Sequence, residues 1–160
     1  MKEEDNEPIG NYIWRTQVRE ELEKLFPNLA STGYRLTSQD TIEYNCVAWA
    51  VGRQDEWWWL DELGESYWPP EVERELTIDS FISVFKKIGY EVCNDENFEE
   101  GFQKIAIYAQ PNGEPTHVAR QLKEDCWTSK IGSLEDIEHR LEGLNSMEYG
   151  KAEVFMKLKN

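Results

Sequence analysis

The sequence predicts an α+β domain with N-terminal helices packed on an antiparallel sheet of about five strands. Apolar stripes of helical period, each with a capping or breaking residue, occupy segments 12–26 and 77–89. Strand-like runs follow near 90–93, 104–109, 117–122, 126–131 and 152–158. Pro111-Asn112-Gly113 is a turn signal between two of these runs.

In chain order, residues 1–11 read as an acidic N-terminal tail and 12–160 as a single domain. Trp14, Val18, Leu22, Leu25 and Phe26 form one stripe of a helix that Pro27 closes. A short buried helix begins at Tyr44-Asn45-Cys46-Val47-Ala48-Trp49-Ala50, where Asn45 is a good N-cap and the alanines permit close packing. Trp57-Trp58-Trp59 and Tyr67-Trp68 follow. Consecutive indoles cannot all face one way, so at least one should remain partly exposed. Thr77 caps the helix carrying Ile78, Phe81, Ile82, Phe85 and Ile88, and Gly89 ends it. Ser133 with Asp136 reads as a variant capping box for another helix through Ile137 and Leu141 to Gly143, which places His139 on an acidic helix, facing solvent or a carboxylate.

Composition narrows the class. Hydrophobic residues make up 39% and aromatic residues 12% of the 160, which is core-forming despite 31% charged residues. A net charge of −15 argues against nucleic acid and anionic membranes as partners and is compatible with a basic protein or peptide. No apolar run approaches membrane-spanning length, and Met1–Glu7 is acidic where a signal peptide would be basic, so the expected location is the cytoplasm. Cys46, Cys93 and Cys126 are an odd number without CxxC spacing, which fits a reducing compartment. Neither a metal nor another cofactor is expected. Cys93 reads as an inward strand residue and Cys126 as a turn residue.

Cys46 carries the chemistry in this reading. A thiol where a helix begins lies among unpaired N–H groups that favour thiolate and can hold an oxyanion. His117 lies in a run in which His117, Ala119 and Gln121 share one face, so the Cys46 helix is expected to pack on that face. Cysteine on an early helix and histidine on a later strand is the order of papain-like cysteine hydrolases. Asn45-Cys46 and Thr116-His117-Val118-Ala119 resemble the motifs of the NlpC and CHAP types of that superfamily. The wider pattern YNCVAWA, WWW, YWP, GYEVC, PTHVARQL, WTSKIG, EDIEH, from about Trp14 to Phe155, resembles an uncharacterised bacterial domain family.

The superfamily resemblance implies a papain-like fold, a Cys46 nucleophile, a His117 base and a third polar residue on the strand after the histidine. Ser129 or Thr128 stands in that segment, with Gln121 and Asp125 as alternatives. Asn45 is the oxyanion or capping candidate, beside Gln39 and Asp40. Trp57, Trp58, Trp59 and Trp68 are candidates for an aromatic wall that binds peptide or sugar. Three functions follow as alternatives: hydrolysis of a peptide, isopeptide or amide bond, an inactive acidic binding module on the same fold, or an acidic mimic that inhibits a nucleic-acid-binding protein. Peptidoglycan is the less favoured substrate because no export signal or wall-binding repeat is present.

Overall fold

The computed structural model describes residues 9–61 and 63–160, with side chains from Arg15 onward. Helices α1 (Ile9–Leu25), α2 (Asn28–Thr32), α3 (Cys46–Ala50) and α4 (Ile78–Ile88) accompany strands β1 (Tyr34–Leu36), β2 (Glu91–Cys93), β3 (Phe102–Ala109), β4 (Pro115–Lys123), β5 (Cys126–Lys130), β6 (Asp136–His139) and β7 (Lys151–Lys159), with a 3₁₀ turn at Leu141–Leu144. The strands form one seven-stranded sheet in the order β1-β6-β5-β4-β3-β7-β2. All neighbours are antiparallel.

Alternation along the strands divides the core into two layers. On one face Ile105, Ile107, Val118 and Met156 meet α3, α4 and the tryptophan segment. On the other, Ala106, Tyr108, Ala119, Trp127 and Ile137 meet Leu22 of α1, Phe26 just after it, Leu29 of α2, and Leu144. The helices follow their local signals. Thr77 accepts from the Ser80 N–H, Gly89 takes φ 116°, and Phe81, Val84 and Phe85 are buried between them. Helix α1 spans Ile9–Leu25 among the described residues. Leu22 and Phe26 are buried and Leu25 lies at its rim. The Trp14 side chain and residues 1–8 of the acidic tail lie outside the described parts.

Two corrections concern the sheet. It has seven strands where about five were expected, because β1 and β6 add an edge. Segment 133–143, expected as a helix, is β6 followed by the 3₁₀ turn. The strand conformation prevails because β6 pairs on both sides, with β1 and β5, and because its inward polar groups find partners. Asp136 accepts from the Tyr44 hydroxyl at 2.6 Å and from Thr37, and His139 meets Ser129. His139 is therefore buried, not solvent-facing.

Candidate active site

Helix α3 is only five residues long, so individual N–H groups rather than a summed dipole set its local field. Asn45 holds it in place. Its Oδ1 accepts from the Ala48 N–H at 3.2 Å and the Trp58 N–H at 3.0 Å, while Nδ2 donates to the Trp58 carbonyl at 2.7 Å. One buried amide thereby caps the helix and clamps the tryptophan segment beside it. The Asn45 side chain acts here as a cap and clamp.

Cys46 is 6% exposed and opens on a cavity of about 290 Å³ lined by Asn45, Trp57, Trp59, Thr116, Gly132 and Tyr149. Burial pushes its thiol up to about 11, against the backbone N–H groups of Val118, Val47 and Cys46 and the charge of Lys130. The β4–β5 register ends at Arg120–Thr128, so Val118 lies beyond it and its N–H can address the sulfur. The four tryptophans divide. Trp57 and Trp59 line the cavity and are half-buried, whereas Trp58 and Trp68 belong to the core. Trp58 packs on Tyr67 and Trp68 on Phe81, with ring centroids 4.6 and 5.6 Å apart.

His117 is fully buried. It lies across from Tyr108, with ring centroids 5.4 Å apart, and stacks on Tyr149 at 4.3 Å and 10°. Neither ring nitrogen has a hydrogen-bond partner among the described residues. Burial, and then the neighbouring His139, hold the imidazole well below its ordinary pKa. The expected packing of α3 on the His117 face is corrected. Helix α3 covers the Val118 face, and the space beside Ala119 is filled by the α1 and α2 layer. Tyr149 touches both halves of the site, stacking on His117 and lining the Cys46 cavity. An irregularity places it. The β3–β4 register shifts at Tyr108/Ala109, setting Ala109 opposite Pro115 and Tyr108 opposite His117. The intervening Thr116 donates to the Tyr149 carbonyl at 2.7 Å.

The candidate third residues lie elsewhere. Ser129 bonds His139 Nε2 at 2.7 Å, and His139 Nδ1 donates to the Arg140 carbonyl at 2.7 Å, which makes Nε2 the acceptor of the serine hydroxyl. Gln121 donates to the Glu96 carbonyl at 2.8 Å, Thr128 accepts from the Trp49 indole at 2.9 Å, and Asp125 faces Arg140 at 3.8 Å. None of them bonds His117. Cys126 opens β5 as a buried residue instead of standing in a turn, and Cys93 is half-buried at the end of β2. Among the described residues no group of His, Cys, Asp and Glu is arranged to hold a metal.

Sequence reasoning passed over Thr116, Gly132, Tyr149 and Lys130. Strand parity was the available signal for Lys130. One residue beyond Ser129, it lies on the sheet's Cys46 face with Thr128, while Ser129 lies on the other with Trp127.

A small α+β domain with a cysteine at a capped helix start and an aromatic-lined cavity is the class that fold and site define. The chain belongs to a family described as a domain of unknown function (DUF7689), whose pattern matches residues 35–157. No curated protein and no solved structure matches it. No described helix is long and apolar enough to cross a membrane.

Proposed function

We propose that the protein is a papain-like cysteine hydrolase that cleaves a peptide, isopeptide or amide bond at Cys46. The supporting observation is that the Cys46 thiol opens directly into an aromatic-walled cavity large enough for one side chain, with backbone N–H groups of two elements near the sulfur. In the first step Sγ bonds to the substrate carbonyl carbon and those N–H groups hold the oxyanion. The thiol proton passes through water in the cavity to the leaving amine as the C–N bond breaks. Water next attacks the thioester, releasing the acid and restoring the thiol. His117 faces the other layer of the sheet and meets the site only through Tyr149, so it positions that ring. Trp57 and Trp59 bind the acyl side of the substrate. The chain's net charge of −15 favours a peptide or protein of basic character. A cytoplasmic site of action accompanies this reading.

A second reading is an inactive acidic binding module. It is favoured by the thiol pKa near 11 and by the lack, among the described residues, of a hydrogen bond at either His117 nitrogen. Turnover of a panel of fluorogenic amides and thioesters by wild type and Cys46→Ala separates the two. A hydrolase loses all turnover in Cys46→Ala yet still binds, with Trp57→Ala weakening binding in both. If turnover persists in Cys46→Ala, or none occurs with any compound while peptide binding survives, the hydrolase reading is wrong.

A further inference from the structure

We infer that Lys130 is the charge partner of Cys46, a buried ammonium held between the two loops that flank the thiol and stabilising the Cys46 thiolate. The inference rests on Cys46 being the reacting group of the proposed hydrolase. It assigns to a lysine the electrostatic role that the papain-like resemblance would give to the histidine.

Lys130 ends β5 on the sheet face that also carries Thr128, and it is fully buried. Its Nζ donates to the Thr41 carbonyl at 2.8 Å and to the Gly132 carbonyl at 2.6 Å, and stands 5.0 Å above the Tyr44 ring. Thr41 and Tyr44 belong to the loop that enters α3, and Gly132 lines the Cys46 cavity. One ammonium therefore ties together the two sides of the thiol.

The choice of partners is unusual for a buried cation, since buried charges are normally paired with carboxylates. Among the described residues no carboxylate lies within ion-pair distance of Nζ. Asp136, directly across in β6, presents its carboxylate to Tyr44 and Thr37 instead. The acids whose charge acts most strongly on Lys130 are Asp136, Cys46, Glu135 and Asp40, in that order. Tyr149 faces the thiol from the cavity wall, and His117 lies behind it. Of the four acids, Cys46 alone lines the cavity, and it is neutral until it reacts. Two carbonyl dipoles keep the ammonium in place without neutralising it, so its field remains available when the sulfur becomes an anion. The influence is mutual. Burial pulls the Lys130 ammonium down while Asp136 and Cys46 hold it up, and Lys130 in turn restrains the rise of the thiol.

The test follows the pH dependence of Cys46 alkylation by iodoacetamide, in which the thiolate displaces iodide, with Cys46 quantified by peptide mass. Lys130→Met should move the midpoint upward by about one unit or more, an approximately tenfold slower reaction at a fixed pH below it. Lys130→Arg should restore most of the rate. Lys151→Met, at an exposed lysine, controls for net charge and should match wild type. A Lys130→Met profile superimposable on wild type overturns the inference. Cys46 that stays unreactive at every pH in folded wild type overturns the underlying hydrolase reading instead. If Lys130→Met does not fold, the Lys130 ¹⁵Nζ titration is compared in wild type with Cys46 capped as a neutral S-methyl disulfide and as an anionic S-sulfonatoethyl disulfide. The anionic cap should raise the Lys130 midpoint above that with the neutral cap, because linkage between the two sites is reciprocal. An unchanged titration overturns the proposal.

Discussion

Replacing Asn45 with alanine removes the three hydrogen bonds by which one side chain joins α3 to the tryptophan segment. Loss of the bond to the Ala48 N–H is the ordinary loss of an N-cap, about 1 kcal/mol. The other two bonds satisfy the N–H and carbonyl of Trp58, a residue 7% exposed. Each group left unpaired in that setting costs about 1–3 kcal/mol. The expected destabilisation is therefore about 4 kcal/mol, with partial relief if water enters the space left by the amide. For a chain of this size that corresponds to a fall in Tm of roughly 10 °C. Asn45→Ser can still cap α3 but is too short to reach Trp58, so it should recover only about 1 kcal/mol of the loss. Urea unfolding of the three proteins, followed by circular dichroism, gives the comparison. A loss below about 1 kcal/mol for alanine, or full recovery by serine, would show that the Trp58 clamp contributes nothing and that Asn45 is a cap alone.

The remaining predictions concern the Tyr149 loop and acid stability. Gly150 has φ +71°, and a Cβ there would lie 1.9 Å from the Ala109 carbonyl oxygen. Gly150→Ala should therefore cost about 3 kcal/mol or more and displace Tyr149 from His117, seen as a lowered urea midpoint and shifted His117 imidazole resonances. In His139, burial depresses the pKa from 6.5 to about 4, and His117 is depressed in the same direction. Below pH 6.5 the unfolded chain takes up protons that the folded chain refuses, so stability should fall as pH drops from about 6.5 towards 4 and be insensitive to these groups above that range. His139 alone accounts for about 3 kcal/mol across that window, and urea midpoints at stepped pH that stay flat between 7 and 5 would contradict it.

Elements announced by local chemistry were legible in the sequence. Thr77 and Gly89 bracket α4, Asn45 starts α3, and the long strands β3, β4 and β7 stand where their strand-like runs predicted them. Elements whose stability comes from distant partners were not. In β6, Asp136 and His139 point inward because Tyr44, Thr37 and Ser129 await them, and no hydropathy pattern registers a polar residue as core. Tyr34–Leu36 is too short to show a period before its pairing with β6 is known. At the site, the helix start, the cysteine and the bordering tryptophans could be read from the chain. Which face of β4 meets α3 could not, because alternation defines two faces without saying which layer covers each. Tyr149 reaches the cavity only through the register shift at Thr116, which leaves no mark in composition.

The sheet ends on two strands of three residues each, β1 and β2. A long flat margin would template the addition of a further strand from another molecule, and short edges deny it the length to do so. The nine-residue β7 is the exception, because β2 covers it only from Phe155 to Lys157. Its uncovered stretch begins with Lys151 and Glu153, charges that would have to be dehydrated before a new ladder could form. Together with a net charge of −15, this margin design protects the chain from edge-to-edge aggregation at high concentration.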